Sequence, residues 1–216
     1  DDHAQKELLE DAFARAEVGS VWTGESDGAR GARIEGEALT FDVASLSSTT
    51  TLTAERTGAV QHGKNFLAVA CTMQLGPKQP ASDAFAGLRI EMQRGGGGHE
   101  LRAEVGVRDG KPYVRIEDGR DGGRTEPVKL EPTVAGFDRN GVQRLELRVV
   151  PRGDSQGRNL TLQVWWNDQI VHQHDLKTLT GNTSIPLKTV LFAEGRKGAP
   201  VDVEFDDYRL ERRKGS

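Results

Sequence analysis

The sequence has one cysteine and few aromatic residues, and neither sign of charge predominates. A single cysteine excludes an intrachain disulfide and a zinc site built from several cysteines. With 29 basic and 33 acidic side chains and a net charge of -4, the chain lacks the basic surplus of a nucleic-acid-binding protein. No apolar run reaches the roughly 18–20 residues of a transmembrane helix. We therefore expect neither a nucleic-acid partner nor a membrane span.

Glycine is abundant, and turn signals separate short segments of strand length. The chain has 26 glycines, and pairs such as Asp109-Gly110 and Asn167-Asp168 are typical of hairpin turns. A β-sandwich of ~200–250 residues is routinely a single domain. We therefore predict one domain over residues 1–216, with 1–8 as an N-terminal extension and 212–216 as a flexible tail. The apolar spacing in Ala4–Arg15 fits a short amphipathic helix, and it fits an extended strand through Leu8–Phe13 equally well.

Six segments alternate apolar and polar residues with a period of two. This alternation is typical of strands that bury one face and expose the other. Six such strands predict an all-β fold in which two antiparallel sheets pack around a shared core, with little helix. Cys71 then points into the core, where a free cysteine behaves as a small apolar residue. The segments are 67–75, 88–92, 101–107, 145–149, 160–166 and 201–205.

Three regions along the chain carry motifs that occur together in one group of β-proteins. They are Leu9–Phe13 with Trp22 and Arg33–Leu39, the pair Leu145–Val150 and Leu160–Val171, and Val203–Leu210. In this order they resemble the opening, the central hairpin and the closing Phe-Asp-Asp strand of the concanavalin A-like lectin/glucanase superfamily. The resemblance covers the chain from about Leu8 to Arg212. It implies a jelly roll with one convex and one concave sheet, whose first and last strands pair.

The superfamily includes glycoside hydrolases, sugar-binding modules and adhesion domains, so the fold alone leaves the function open. Its retaining glucanases carry Glu-x-Asp-x-x-Glu on one strand, which places two carboxyl groups about 5–5.5 Å apart. The nearest match here begins at Glu204 and Asp206, but Arg209 occupies the third acidic position. A glycoside hydrolase is therefore the least favoured function.

The most informative polar positions surround Trp165. If Asn167-Asp168 is a two-residue turn, Trp165 and Ile170 are cross-strand neighbours. An aromatic ring on a polar face can stack on the C–H side of a pyranose while polar groups bind its hydroxyls. A ring covered by a loop or by the N-terminal segment is the equal alternative. The predicted ligand-binding residues are Trp165, Gln163, His172, His174, Arg144, Glu146 and Arg148.

Metal and cofactor signals are weak. His172 and His174 lie two residues apart on one strand, but no third ligand is evident, so exposed polar positions are the favoured interpretation. The resemblance implies a structural calcium ion in some members, and Asp206 and Asp207 are the first candidates here. Otherwise we expect no cofactor.

Other strands carry Arg and Glu at their polar positions, which could form an exposed Arg/Glu ladder that keeps a wide sheet face soluble or contacts a partner. They are Arg89, Glu91, Arg102, Glu104, Arg115 and Glu117, beside Arg144, Glu146 and Arg148. The sequence thus predicts a noncatalytic module that recognises glycan on its polar concave face. A structural or adhesion subunit that contacts protein in a larger assembly is the alternative. The sequence starts without methionine, as a mature exported chain does and as a trimmed chain does. We expect a secreted, periplasmic or cell-surface location.

Overall fold

A computed structural model gives the fold and describes residues 6–13, 22–23, 32–61, 66–93, 99–119, 126–152, 159–177 and 185–213. These residues form strands, turns and loops, and among them no helix occurs that could span a membrane. The strands are β1 Lys6–Asp11, β2 Arg33–Glu35, β3 Ala38–Val43, β4 Thr50–Gln61, β5 Phe66–Leu75, β6 Ala84–Gln93, β7 His99–Arg108, β8 Lys111–Asp118, β9 Val128–Leu130, β10 Gln143–Pro151, β11 Leu160–Trp166, β12 Gln169–Asp175, β13 Ile185–Gly195 and β14 Val201–Arg213.

The strands form two antiparallel sheets that pack face to face. The larger sheet has the order β12-β11-β10-β5-β14-β3-β2, with β1 also paired to β14, and the smaller sheet has the order β4-β13-β6-β7-β8-β9. This arrangement is the two-sheet antiparallel sandwich that the alternating segments predict. Trp22, Cys71, Leu145 and Trp166 are all buried in the core that the two sheets share. The core position of Cys71 is confirmed, and burial raises the pKa of its thiol.

The N-terminal segment is a strand rather than a helix. β1 pairs with the last part of β14, in a register that joins Lys6 to Arg213 and Asp11 to Tyr208. The predicted pairing of the first and last strands is therefore confirmed. Both strands extend further than the sequence predicted, because they include residues assigned to an N-terminal extension and to a tail. The rest of those two segments, residues 1–5 and 214–216, lies outside the described residues.

A β-bulge interrupts β14 where the strand changes partner. Val201–Phe205 pairs with β3, whereas Tyr208 and the residues after it pair with β1. The register shifts between Asp206 and Arg209, and Asp207 has a φ of 48°. The extra residue reverses the alternation of the strand, so that Phe205 and Tyr208 both point into the core.

The outward face of the smaller sheet carries a second apolar cluster. Gly87 and Gly106 are directly opposed on β6 and β7. Phe192 pairs with Gly87, and Tyr113 pairs with Gly106, so aromatic rings flank the two glycines from both sides. Phe85 joins this cluster, with T-shaped contacts to both rings at centroid distances of 5.3 Å and 4.8 Å. The cluster explains why aromatic residues on an outward face are buried.

Candidate functional site

The outer face of the larger sheet brings together four of the predicted ligand-binding residues. Glu146 of β10 is directly opposite Trp165 of β11, and Arg148 is directly opposite Gln163. All four side chains point away from the core, because Leu145, Leu147, Val164 and Trp166 alternate with them and are buried. We call Trp165, Gln163, Glu146 and Arg148 the Trp165 cluster.

The Trp165 cluster is held by hydrogen bonds and by stacking. Glu146 accepts hydrogen bonds from Nε and Nη2 of Arg148, at 2.6 Å and 3.0 Å. The guanidinium carbon of Arg148 lies 3.8 Å from the centroid of the Trp165 ring, within cation–π range. The indole Nε1 donates to Oε1 of Gln163 at 3.2 Å. Trp165 is half-buried, and the guanidinium of Arg148 lies against one face of its ring.

A tight turn positions this cluster at the end of the β11–β12 hairpin. Asn167 and Asp168 both have positive φ, of 47° and 64°, as a type I′ turn requires. The predicted cross-strand pair of Trp165 and Ile170 is confirmed. Arg144, at the start of β10, forms an ion pair with Asp168 at 3.4 Å and is well exposed. That this face is the concave one stays a prediction.

The two histidines do not lie on the face that carries Trp165, and this part of the predicted site is wrong. The register of β11 and β12 shifts between Val164 and Trp165, so that Val171 is an extra residue on β12. Beyond this bulge His172 pairs with Val164 and His174 with Leu162, whose side chains are in the core. Both imidazoles therefore point toward the smaller sheet.

The histidines instead contact the edge of the smaller sheet. Nε2 of His174 lies 3.1 Å from Oδ2 of Asp118, a buried carboxylate at the end of β8 that also accepts from the backbone N–H of Lys177. The rings of His172 and His174 are stacked with centroids 6.5 Å apart. Partial burial, and secondarily the neighbouring His174, lower the pKa of His172. The interpretation of these histidines as exposed polar positions is therefore also wrong.

The predicted Arg/Glu ladder is divided between the two sheets, and its central members are buried. Those on β6, β7 and β8 lie on the outward face of the smaller sheet, not beside Arg144 and Arg148 of β10. Glu104 accepts from Nε of Arg89 at 2.8 Å and from Nη2 of Arg102 at 2.8 Å. Glu91 pairs with Arg89 and with Lys188, at 3.4 Å and 3.2 Å.

This buried network was predicted to be solvent-exposed. Arg89, Glu91 and Glu104 retain 8%, 6% and 2% of their accessible surface. A period-two pattern of charges identifies an outward face, but it does not reveal which of the charged side chains are buried there. Arg89 is covered by neighbouring charged side chains and by Phe192, whose ring centroid lies 4.7 Å from the guanidinium carbon. We found no sequence signal that separates buried from exposed members.

The two aspartates proposed for calcium lie at the β14 bulge. Oδ1 of Asp206 accepts from the backbone N–H of Asp207 at 2.7 Å. Burial is the main cause that raises the pKa of Asp206, and the nearby carboxylate of Asp207 contributes. Within the described ranges, no group of three or more His, Cys, Asp or Glu side chains is arranged to hold a metal ion. Calcium binding at Asp206 and Asp207 stays a prediction.

Comparisons with known proteins agree with this architecture. The chain is similar over 97% of both chains to an endo-1,3-beta-glucanase from Streptomyces sioyaensis, with a TM-score of 0.72 and 10% identity. A CBM2 module of the evolved Dit of Lactobacillus casei BL23 phage J-1 gives a TM-score of 0.65 at 9% identity, over 99% of this chain and 98% of that one.

Winged bean acidic lectin, complexed with methyl-alpha-D-galactose, gives a TM-score of 0.59 at 10% identity, over 98% of this chain and 100% of the lectin. No protein-family model and no curated protein sequence matches the chain. At such low identity the similarities establish the fold alone, and that fold is the concanavalin A-like jelly roll.

Proposed function

We propose that this chain is a noncatalytic glycan-binding module that holds its ligand at the Trp165 cluster. The observation that carries the proposal is a half-buried indole ring on a polar sheet face, fixed between Arg148 and Gln163. Aromatic rings bind the apolar side of a pyranose, and nearby amide, guanidinium and carboxylate groups bind its hydroxyls. The cluster contains all of these groups, already ordered by contacts with one another.

Preorganisation is the second support for binding at this position. Glu146 holds the guanidinium of Arg148 through two hydrogen bonds, and the flat guanidinium lies against the ring. A ligand would therefore meet side chains whose rotamers are already restricted, which lowers the entropic cost of binding. The surrounding strands form a rigid sheet rather than a flexible loop.

The structural neighbours support a glycan as the ligand class. Their names include a lectin complexed with a galactoside and a carbohydrate-binding module, beside a glucanase and alginate lyases. Glycan recognition recurs among them, whereas their catalytic activities differ. A glycan ligand is also consistent with the exported location, which is part of this proposal.

The noncatalytic part of the proposal rests on the carboxylate of the Trp165 cluster. Glycoside hydrolysis needs a carboxylic acid that donates a proton beside a second, ionised carboxylate. The cluster contains one carboxylate, Glu146, and both of its oxygens accept hydrogen bonds from Arg148. One carboxylate paired with a cation does not make the pair that hydrolysis requires.

Glycan-array screening followed by calorimetric titration tests the proposal. We expect Trp165→Ala to weaken binding of the glycans that the array detects by at least about tenfold, or about 1.4 kcal/mol. Trp165→Phe, which keeps an aromatic face, should retain part of the affinity. Val142→Ala is the matched control, because Val142 is an exposed apolar residue, at 59%, near the same turn. Thermal unfolding of each variant verifies the fold.

The same experiment separates the other functions. If Trp165→Ala left every detected affinity unchanged, the stacking site would be refuted. If the array gave no glycan and Trp165→Ala instead abolished binding to a protein, the module would be an adhesion subunit, for which the exposed side chain of Ile170 offers an apolar contact. Release of reducing sugar from a bound oligosaccharide would contradict the noncatalytic proposal.

A further inference from the structure

A cavity of about 290 Å³ opens on the outer face of the larger sheet, beside the β14 bulge. It lies where β1 ends at Asp11 and where β14 no longer pairs with β3 after Phe205. This change of partner leaves a gap along one side of β14, which Asp206 and Asp207 border. Residues of β5, β10 and β14 line the cavity, together with Asp11 and Ala12 at the end of β1.

Small side chains form the floor of the cavity, and long cationic ones form two of its walls. Ala70 and Thr72 of β5 lie beneath it, Arg144 of β10 stands on one side and Arg209 of β14 on the other. Asp207 is exposed at the rim. Arg144 and Arg209 thus stand on opposite sides of one small space, and Nη2 of Arg209 also donates to the Glu211 carboxylate at 3.2 Å.

The cavity is aligned with the Trp165 cluster. Trp165, Glu146, Ala70 and Arg209 are direct neighbours in register across four adjacent strands. Because strands lie about 4.7–4.9 Å apart, Ala70 is two strand spacings, or about 10 Å, from Trp165. One oligosaccharide lying across the strands can reach both positions.

We propose that this cavity is a subsite for the carboxylate of a uronic-acid residue in the bound glycan. The inference rests on the proposed function, and it adds the class of glycan: an acidic oligosaccharide. Arginine presents several N–H donors in a planar fork that matches a carboxylate, and such charge-assisted pairs are about twice as strong as neutral hydrogen bonds. The carboxylate of Asp207 and the hydroxyl of Thr72 then form hydrogen bonds with the hydroxyls of the sugar.

One acidic group of the cavity wall, Asp11, is not available to a cation. The Asp11 carboxylate accepts from the backbone N–H of Phe13 and from the indole Nε1 of Trp22, each at 2.9 Å. It is buried and already used within the fold. The ion-pair partner of Arg144 is Asp168, whose side chain is 75% exposed, so a ligand carboxylate can compete for that guanidinium.

Calorimetry with matched acidic and neutral probes tests the subsite. The probes are trisaccharides of galacturonate, glucuronate and mannuronate, each as the free acid and as its methyl ester, at pH 7. We expect at least one free acid to bind about 10- to 100-fold more tightly than its ester, because a hydrogen bond to a charged group contributes about 1.5–3 kcal/mol. Arg144→Gln and Arg209→Gln should each reduce this ratio at least about fivefold.

Arg196→Gln is the control, because Arg196 is an exposed arginine that pairs with Asp83 at 3.0 Å, away from the Trp165 cluster. It should leave the ratio unchanged. Equal binding of every acid and ester, an unchanged ratio in both test variants, or binding of neutral array glycans alone would overturn the uronate subsite. In each of those cases the proposed function stands if Trp165→Ala weakens the binding that is seen. If the unmodified chain bound no glycan at all, the proposed function itself would be overturned.

Discussion

At the scale of single residues, buried polar groups determine how the N-terminal strand is attached. The Asp11 carboxylate accepts from the Phe13 backbone and from the Trp22 indole, and Trp22 in turn packs edge-on against Tyr208 at a centroid distance of 4.8 Å. These contacts connect β1, the segment after it and the middle of β14. The Phe13 backbone itself has a φ of 53°, which only a stable local network maintains in a residue of this size.

We therefore expect Asp11→Ala to lower the free energy of unfolding by about 2–4 kcal/mol, because it leaves two buried donors without their acceptor. Urea denaturation measures this change. Glu204→Ala, an exposed carboxylate on β14, is the control and should change stability by no more than about 0.5 kcal/mol. Equal effects of the two substitutions would show that the Asp11 contacts do not stabilise the fold.

His172 makes stability depend on pH. Partial burial and His174 lower its pKa from the ordinary value of about 6.5, so the folded state favours the neutral ring. Between pH 6.5 and the lower folded pKa, the unfolded chain binds a proton that the folded chain does not, and stability therefore falls as the pH falls through this window.

His172→Gln should flatten this dependence. The measurement is the difference in unfolding free energy between pH 7.5 and pH 5.5, which we expect to be smaller in the variant than in the unmodified chain. An unchanged difference would mean that other groups cause the acid sensitivity.

At the scale of strands, irregularities decide which side chains share a face. The period of two correctly predicted the core residues of β5, β10 and β11, because every second side chain of these strands points into the core without interruption. The bulges in β12 and β14 each add one residue, and the sequence alone gives no sign of it. The prediction therefore assembled Trp165, Gln163, Glu146 and Arg148 correctly but assigned His172 and His174 to the wrong face.

The opposed glycines of β6 and β7 are a second such feature. A Cβ atom added to Gly106 would lie 2.0 Å from the carbonyl oxygen of Ala86, and one added to Gly87 would lie 2.2 Å from that of Val105. Both contacts are with backbone, so the strands would have to separate.

Gly87→Ala and Gly106→Ala should each destabilise the protein by about 1–3 kcal/mol, as expected for overpacking. Urea denaturation of the two variants tests this. Gly141→Ala serves for comparison and should have little effect on stability. A Cβ atom added at Gly141 would have a side-chain oxygen of exposed Asp138 as its nearest neighbour, at 3.3 Å. A harmless Gly106→Ala would show that the two strands have room to move apart.

At the scale of the whole molecule, one core belongs to both sheets. Trp22 and Trp166 are fully buried at different places in that core, and the His174–Asp118 contact joins the two sheets at an edge. Composition and alternation were enough to predict this architecture, because it depends mainly on the placement of apolar side chains between the two sheets, which alternation reveals. The burial of charges on the smaller sheet was beyond them, because it combines pairs on one strand, such as Arg89 and Glu91, with pairs between strands, such as Arg89 and Glu104.

We expect the two sheets to unfold together. Urea unfolding curves followed by tryptophan fluorescence and by far-ultraviolet circular dichroism should coincide, with a single midpoint. Separate midpoints would show that one sheet persists without the other.

The single extra residue in β12 has a consequence for how this surface can vary. Deleting Val171 would join Ile170 directly to His172 in an uninterrupted ladder, with His172 still opposite Val164 and His174 still opposite Leu162. A change of one codon triplet would thus straighten the strand while both imidazoles keep their place against the smaller sheet.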